Sequence, residues 1–156
     1  MRCSKNSDEV ATSAFRSERG SATLETITLG TLLLVPIVYL VLALGAIQAG
    51  TLAAEGAARH AARAFVQADA AASASDRAER AIITTLADYG FSRAQAAARI
   101  ACAPSADCLT RGNTVTIELT LRVPLPLIPA IDASTPFAVA VEAAASQTVS
   151  RFWGAR

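Results

Sequence analysis

Several residue types are scarce in this chain of 156 residues, and each shortage argues against a class of function. The chain has one histidine and one lysine, and aromatic residues make up 5% of it. Without a second histidine, or a serine and an acid at catalytic spacing, no catalytic or zinc-binding motif forms. No glycine-rich phosphate loop and no basic stripe with interleaved aromatics occurs. We therefore expect no enzymatic activity, no cofactor, no metal and no nucleic-acid partner.

Charge is missing from one long stretch of the sequence. No charged residue occurs between Thr26 and Ala54, and the segment from Ile27 to Ile47 holds 21 of these uncharged residues. At a helical rise of 1.5 Å per residue it would be about 30 Å long, close to the hydrocarbon thickness of a bilayer. The sequence therefore predicts one transmembrane helix over residues 27–47.

A polar leader precedes this apolar stretch and ends at a junction of small residues. Residues 1–20 lack periodic apolar positions, and we expect them to be disordered. Gly20 is followed by Ser21, and Glu25 lies at the mouth of the predicted helix. A carboxylate at membrane depth is costly unless a partner neutralises it. Glu25 is therefore a candidate functional residue.

This junction resembles the processing site of type IV pilin-like proteins, and the chain as a whole is most similar to the TadE-like minor pilins, or pseudopilins, of tight adherence (Flp) pilus systems. Gly20, Ser21 and Glu25 carry the resemblance, together with the immediate onset of the apolar run. The helix that follows carries Glu55, Arg59 and Arg63, and the apolar, proline-rich segment 123–129 also resembles the family. The similarity covers nearly everything after Arg19.

The resemblance implies a function as well as a fold. A prepilin peptidase would cleave after Gly20, and Glu25 would then neutralise the N-terminal amine of a neighbouring subunit during docking. The implied partners are this peptidase, other pilin subunits, membrane lipid, and an inner-membrane assembly platform with its ATPase. The implied fold is pilin-like α+β, and the implied location is the cytoplasmic membrane, with the N-terminus in the cytoplasm. A place at the cell surface in a pilus would follow assembly.

The helix predicted after the junction covers residues 21–72 and carries rows of small residues at every fourth position. Gly45, Ala49 and Ala53 begin one such row. Small residues let helix backbones approach closely, and in lipid this packing is a main source of attraction between helices. The row is therefore a candidate surface for side-by-side assembly. The alternative is that an alanine-rich composition produces it by chance.

Cysteine usage fits an extracytoplasmic domain. Cys3 lies in the predicted leader, so cleavage would leave an even pair, Cys102 and Cys108. In an oxidising compartment these two residues can close a small disulfide loop. Two free buried thiols are the alternative.

Residues 73–156 are predicted to form a small extracytoplasmic α+β domain. Asp76 and Glu79 have the spacing of a capping box that begins a helix, and Gly90 is its predicted C-cap. A second short helix is predicted over 93–101. Strict alternation of apolar and polar residues over 114–123, and a second run over 136–148, predict a two-stranded antiparallel hairpin.

Two other functions remain open. The chain would be an ordinary secreted protein if a signal peptidase cut near residues 43–49, although 21 apolar residues exceed the usual length of a signal core. It would be a single-pass membrane anchor or scaffold if it were not cleaved. Neither the position of the protein in a filament nor the role of residues 124–131 is predicted.

Overall fold

The computed structural model describes residues 7–126 and 137–152, with side chains from Ala22 onward. In chain order its elements are α1 (Ser7–Val66), α2 (Ala71–Asp88), a 3₁₀ turn (Arg93–Gln95), β1 (Ala96–Ala103), β2 (Thr114–Pro124) and β3 (Ala138–Thr148). The chain divides into two compact units, Met1–Leu42 and Ala43–Arg156, and α1 contributes to both. The fold is therefore α+β with a long apolar N-terminal helix, as the sequence predicts. Cys3, Trp153 and most of the apolar segment 124–131 lie outside the described residues.

Helix α1 begins earlier than predicted. It starts at Ser7 and not at Ser21, so the prediction that the leader is disordered is wrong for residues 7–20. Glutamate, alanine and arginine are common in this segment and favour helix. Extending an existing helix adds one hydrogen bond for each residue ordered, whereas starting a new one is costly. The apolar helix thus serves as the nucleus for the polar residues before it.

The turn between α1 and α2 also differs from the prediction. α1 ends at Val66 and not at residue 72, and α2 begins at Ala71 and not at Asp76. Arg77 ties this turn together, because its guanidinium contacts the Asp69 carboxylate at 2.8 Å and donates to the Gln67 carbonyl at 3.3 Å. The predicted capping box therefore lies inside α2, in a segment whose alanines already favour helix.

The end of α2 is as predicted. Gly90 has a φ of 79°, in the left-handed region that glycine adopts without strain. The Gly90 N–H donates to the Ala87 carbonyl and the Phe91 N–H donates to the Leu86 carbonyl, both at 2.9 Å. This pair of bonds is the Schellman arrangement that closes a helix.

The sheet has three antiparallel strands in the order β1-β2-β3, not two. The prediction of a helix over 93–101 is wrong: only Arg93–Gln95 forms a 3₁₀ turn, and Ala96–Ala103 is strand β1. The capping box of Ser92 and Gln95 is present, but it closes this single turn. β1 is alanine-rich and prefers helix by local propensity. Pairing along β2, from Ala96 opposite Leu121 to Ala103 opposite Thr114, overrides that preference.

The core of the C-terminal unit lies between one face of the sheet and the two helices. The inward row of β2 is 0–1% exposed and consists of Val115, Ile117, Leu119, Leu121 and Val123. Burying each of these side chains contributes about 1.5–3 kcal/mol. The small side chains of α1 cover this row together with Ile82 and Leu86 of α2. Strand β2 is therefore the centre of both the sheet and the core.

Candidate functional site

The predicted cleavage and docking residues all lie on α1. Gly20 and Ser21 are inside the helix, and Glu25 is one turn further along with an exposed side chain. Residues four apart in a helix share a face, so the backbone nitrogen of Ser21 and the Glu25 carboxylate lie on the same side, about 6 Å apart along the axis. Cleavage before Ser21 would thus place an amine and a carboxylate on one face of the helix start.

Glu25 has no charged neighbour among the side chains that the structure describes. The three ion pairs found there join Arg59 to Glu55, Arg77 to Asp69 and Arg93 to Glu79. The polar groups next to Glu25 are satisfied locally, since the Thr26 hydroxyl bonds to the Ala22 carbonyl at 2.9 Å. Nothing described within the chain neutralises the carboxylate.

The helix after Glu25 presents an apolar surface on every side. One helix, found over Ala22–Val66, is long and apolar enough to cross a membrane, and its most apolar part is almost entirely unburied. Soluble proteins rarely expose a contiguous apolar surface of this size. Among the side chains described from Ala22 to Leu42, the exposed large apolar ones are Leu24, Ile27, Leu29, Leu32, Leu33, Leu34, Val35, Ile37, Val38, Leu40, Val41 and Leu42.

The small-residue row on α1 is divided between exposed and buried positions. Gly45 is exposed, with no atom within 4 Å of where a Cβ would lie, whereas Ala53 is 0% exposed. Ala57 and Ala61, further along the same row, are also 0% exposed. The helix backbone therefore approaches its own sheet and its own α2. Ala53 therefore packs inside the unit, and the role of Gly45 and the half-buried Ala49 in assembly stays a prediction.

A disulfide closes the loop after β1. Cys102 and Cys108 are bonded, as the sequence predicts, so the alternative of two free thiols is excluded. Cys102 is on the core face of β1, opposite Val115 of β2. The bond thus fixes the loop to the end of the sheet.

Asn113 holds the same loop from the other side, a role that the sequence did not predict. It is 1% exposed, and its side-chain amide donates to the carbonyls of Ser105 at 2.9 Å and Asp107 at 3.0 Å. Its side-chain oxygen accepts from the Ser105 N–H at 3.1 Å. Its backbone carbonyl accepts from the Val149 N–H at 2.8 Å. Asn113 therefore joins the disulfide loop to the segment that follows β3.

Comparisons of the chain with protein-family models, with curated proteins and with solved structures find no match. Within residues 7–126 and 137–152, no group of three or more metal-ligating side chains is found. The function is therefore argued from the residues themselves.

Proposed function

We propose that this protein is a TadE-like minor pilin or pseudopilin, which a prepilin peptidase processes after Gly20 and which enters or primes a tight adherence pilus. One observation carries the proposal: Glu25 lies five residues after Gly20, where the apolar stretch of α1 begins, and its exposed side chain has no ion-pair partner among the side chains described from Ala22 onward. A membrane anchor alone does not need this carboxylate. A subunit that must dock onto another in the membrane does.

The proposed mechanism is charge neutralisation between subunits. Cleavage creates a positive amine at Ser21, and both this amine and the Glu25 carboxylate lie at the edge of the hydrocarbon. A charge there is costly when it is alone and less costly when it is paired. The amine of an incoming subunit would pair with Glu25 of its neighbour only in one axial position. The pair would therefore select the correct register.

The C-terminal unit is consistent with an extracytoplasmic location. Its disulfide belongs to an oxidising compartment, and its core is made from the unit's own helices and sheet. In this orientation the N-terminus lies in the cytoplasm, where a prepilin peptidase and an assembly platform with its ATPase would act. We propose a structural role without catalysis, in which other proteins supply the energy for assembly.

A second candidate, an uncleaved single-pass anchor, is favoured by the continuity of α1 through Gly20 and Ser21. A helix keeps its peptide bonds within the backbone hydrogen-bond ladder, which hinders a protease. The segment before Ser21 must unwind for the pilin function. The N-terminus of the native protein distinguishes the two candidates.

The docking role is tested by comparing two glutamates of α1. In cells that make the pilus, Glu25→Leu should be processed as the wild type is, yet should be depleted from sheared filaments or fail to support their assembly. Glu55→Leu is the matched control, because Glu55 pairs with Arg59 on the exposed part of the helix after the apolar stretch. Exposed pairs of this kind contribute little to stability. Normal piliation with Glu25→Leu would contradict the docking role.

A further inference from the structure

Two neighbours of α1 place exposed aromatic side chains close to the end of the predicted transmembrane segment. Phe137 is 52% exposed and immediately precedes β3, and its carbonyl accepts from the Leu125 N–H. Tyr89 is 46% exposed and follows the last residue of α2. Both belong to the C-terminal unit, and neither has a role in the core.

A contact in the core fixes the position of Phe137 along the axis of α1. A Cβ on Gly50 would lie 2.2 Å from a methyl group of Val123, so the end of β2 touches the helix at Gly50. Val123 is paired with Val139, two residues after Phe137. The end of the β2–β3 pair therefore lies beside α1 near residue 50.

The packing of α2 against α1 fixes the position of Tyr89 along the same axis. A Cβ on Gly56 would lie 3.5 Å from the Thr85 methyl group, and the short connection between α1 and α2 makes them antiparallel neighbours. Tyr89 is one turn beyond Thr85. It therefore lies near the level of Leu52, which is itself 59% exposed.

These levels coincide with the headgroup layer of a bilayer that is crossed by residues 27–47. Gly50 and Leu52 are about 4.5 and 7.5 Å beyond Ile47 along the helix. The interfacial layer on each side of the hydrocarbon is about 5–7.5 Å thick. Aromatic side chains are enriched in this layer because their rings tolerate its mixed polarity.

The charge distribution distinguishes this end of the sheet from the other. No charged residue occurs from Val123 to Pro126 or from Phe137 to Val141. The opposite end, around the disulfide loop, carries Asp107, Arg111 and Arg151. Exposed Arg122 and Asp88 lie next to this uncharged end. A bilayer interface accepts aromatic rings beside such charged groups, because the headgroups solvate the charges.

We propose that Phe137, Tyr89 and Leu52 form a membrane-contact surface, by which the C-terminal unit rests on the interface of the bilayer that α1 crosses. The partner of this surface is the headgroup and glycerol layer of the phospholipids. The inference rests on the membrane anchoring in the proposed function, but it does not require cleavage or assembly. Such a contact would hold the C-terminal unit against the membrane until the subunit leaves the bilayer to enter the pilus.

Tryptophan fluorescence in bilayers tests the contact. Trp153 is the only tryptophan, so Trp153→Phe gives a silent full-length background. Four single-tryptophan proteins are then made with Phe137→Trp, Tyr89→Trp, Thr148→Trp or Leu34→Trp. Each is reconstituted into phosphatidylcholine vesicles with unlabelled chains or with chains brominated near the carbonyl end or near the middle. Far-UV circular dichroism verifies that each variant is folded.

We expect the Phe137→Trp and Tyr89→Trp proteins to lose emission in the shallow-brominated vesicles, with a blue shift relative to the Thr148→Trp protein. Thr148 is at the exposed far end of β3, so its variant should keep its emission. The Leu34→Trp protein reports on anchoring and should be quenched by bromine near the middle of the chains.

The outcomes separate the two proposals. Quenching in the Leu34→Trp protein without quenching at position 137 or 89 would overturn the contact surface and leave the anchor intact. A blue-shifted but unquenched signal at position 137 would mean that protein covers it, which also overturns the inference. An unquenched Leu34→Trp protein would remove the anchor, and the contact surface with it.

Discussion

Gly50 of α1 lies directly against Val123 of β2. An ideal Cβ on Gly50 would lie 2.2 Å from the Cγ2 of Val123, a distance that real Cβ atoms do not tolerate. Both residues are buried, and Val123 is 0% exposed. This contact joins the helix to the central strand, and the packing of the C-terminal unit depends on it.

Gly50→Ala should therefore destabilise the C-terminal unit. The added methyl group forces the helix and the strand apart, and overpacking of this kind costs about 1–3 kcal/mol. Thermal unfolding in detergent micelles, followed by circular dichroism, would measure the loss. Gly45→Ala is the matched control, because nothing lies within 4 Å of its Cβ position and alanine favours helix.

The double variant Gly50→Ala, Val123→Ala isolates the contact. Removing the two methyl groups of Val123 makes room for the new one, so the two changes together should cost less than the sum of their separate effects. Simple additivity would show that the two residues do not share a contact.

Asn113→Ala should cost about 1–3 kcal/mol, because it leaves the half-buried Ser105 N–H and the carbonyls of Ser105 and Asp107 without their partner. Asn113→Asp should also destabilise, since an ionised carboxylate cannot donate to the carbonyls of Ser105 and Asp107. Urea unfolding of the three proteins measures both effects. Gln147→Ala removes an amide from an exposed position and should be nearly neutral. Equal stability of all variants would remove the role assigned to Asn113.

Removing the disulfide with Cys102→Ser and Cys108→Ser should lower the free energy of unfolding by about 2 kcal/mol, the value expected for so short a loop in the chain-entropy model. Asn113 holds the same loop, so adding Asn113→Ala should give a loss that differs from the sum. Urea midpoints of the single and combined variants measure this coupling. Strict additivity would argue that Asn113 and the disulfide act on separate parts of the structure.

Gly20→Val should block maturation, because a bulky side chain does not fit a peptidase site that accepts glycine. Gly30→Val lies further along the same helix, where nothing is within 4 Å of its Cβ position, and should be processed normally. Immunoblots of whole cells would separate the precursor from the mature form. Full processing of the Gly20→Val protein would argue against the proposed cleavage site.

Strand β2 was predictable because its alternation has one interpretation. Val115, Ile117 and Leu119 occupy one face and polar residues the other, and this period of two does not fit a helix. β1 was missed because Ala96–Ala103 holds only one large apolar residue, Ile100, and its alanines prefer helix. Its conformation depends on pairing with β2, the next strand along the chain, and local propensity does not include that pairing.

The candidate functional residues also divide into those that the sequence singles out and those that only the structure shows. Cys102 and Cys108 stand out by chemistry and spacing, and their bond is present. Gly20 and Glu25 stand out in the same way, and their roles stay predictions. The sequence predicts no role for Asn113 or Gly50. The role of Asn113 arises from side-chain hydrogen bonds to the loop just before it, and the role of Gly50 arises from its contact with the distant Val123. Neither contact can be read from the pattern of residue types. A lone asparagine between a turn and a strand was the available signal.

The first residue of the native protein separates the proposed pilin from the other two candidates. Intact mass spectrometry of the protein purified from the membranes of cells with an active prepilin peptidase measures this residue directly. Our account predicts a chain that begins at Ser21, with or without methylation of its amine, and a precursor that accumulates when the peptidase is absent. A native chain that begins at Met1 would contradict it, and a chain that begins after residue 43 would replace it with an ordinary secreted protein.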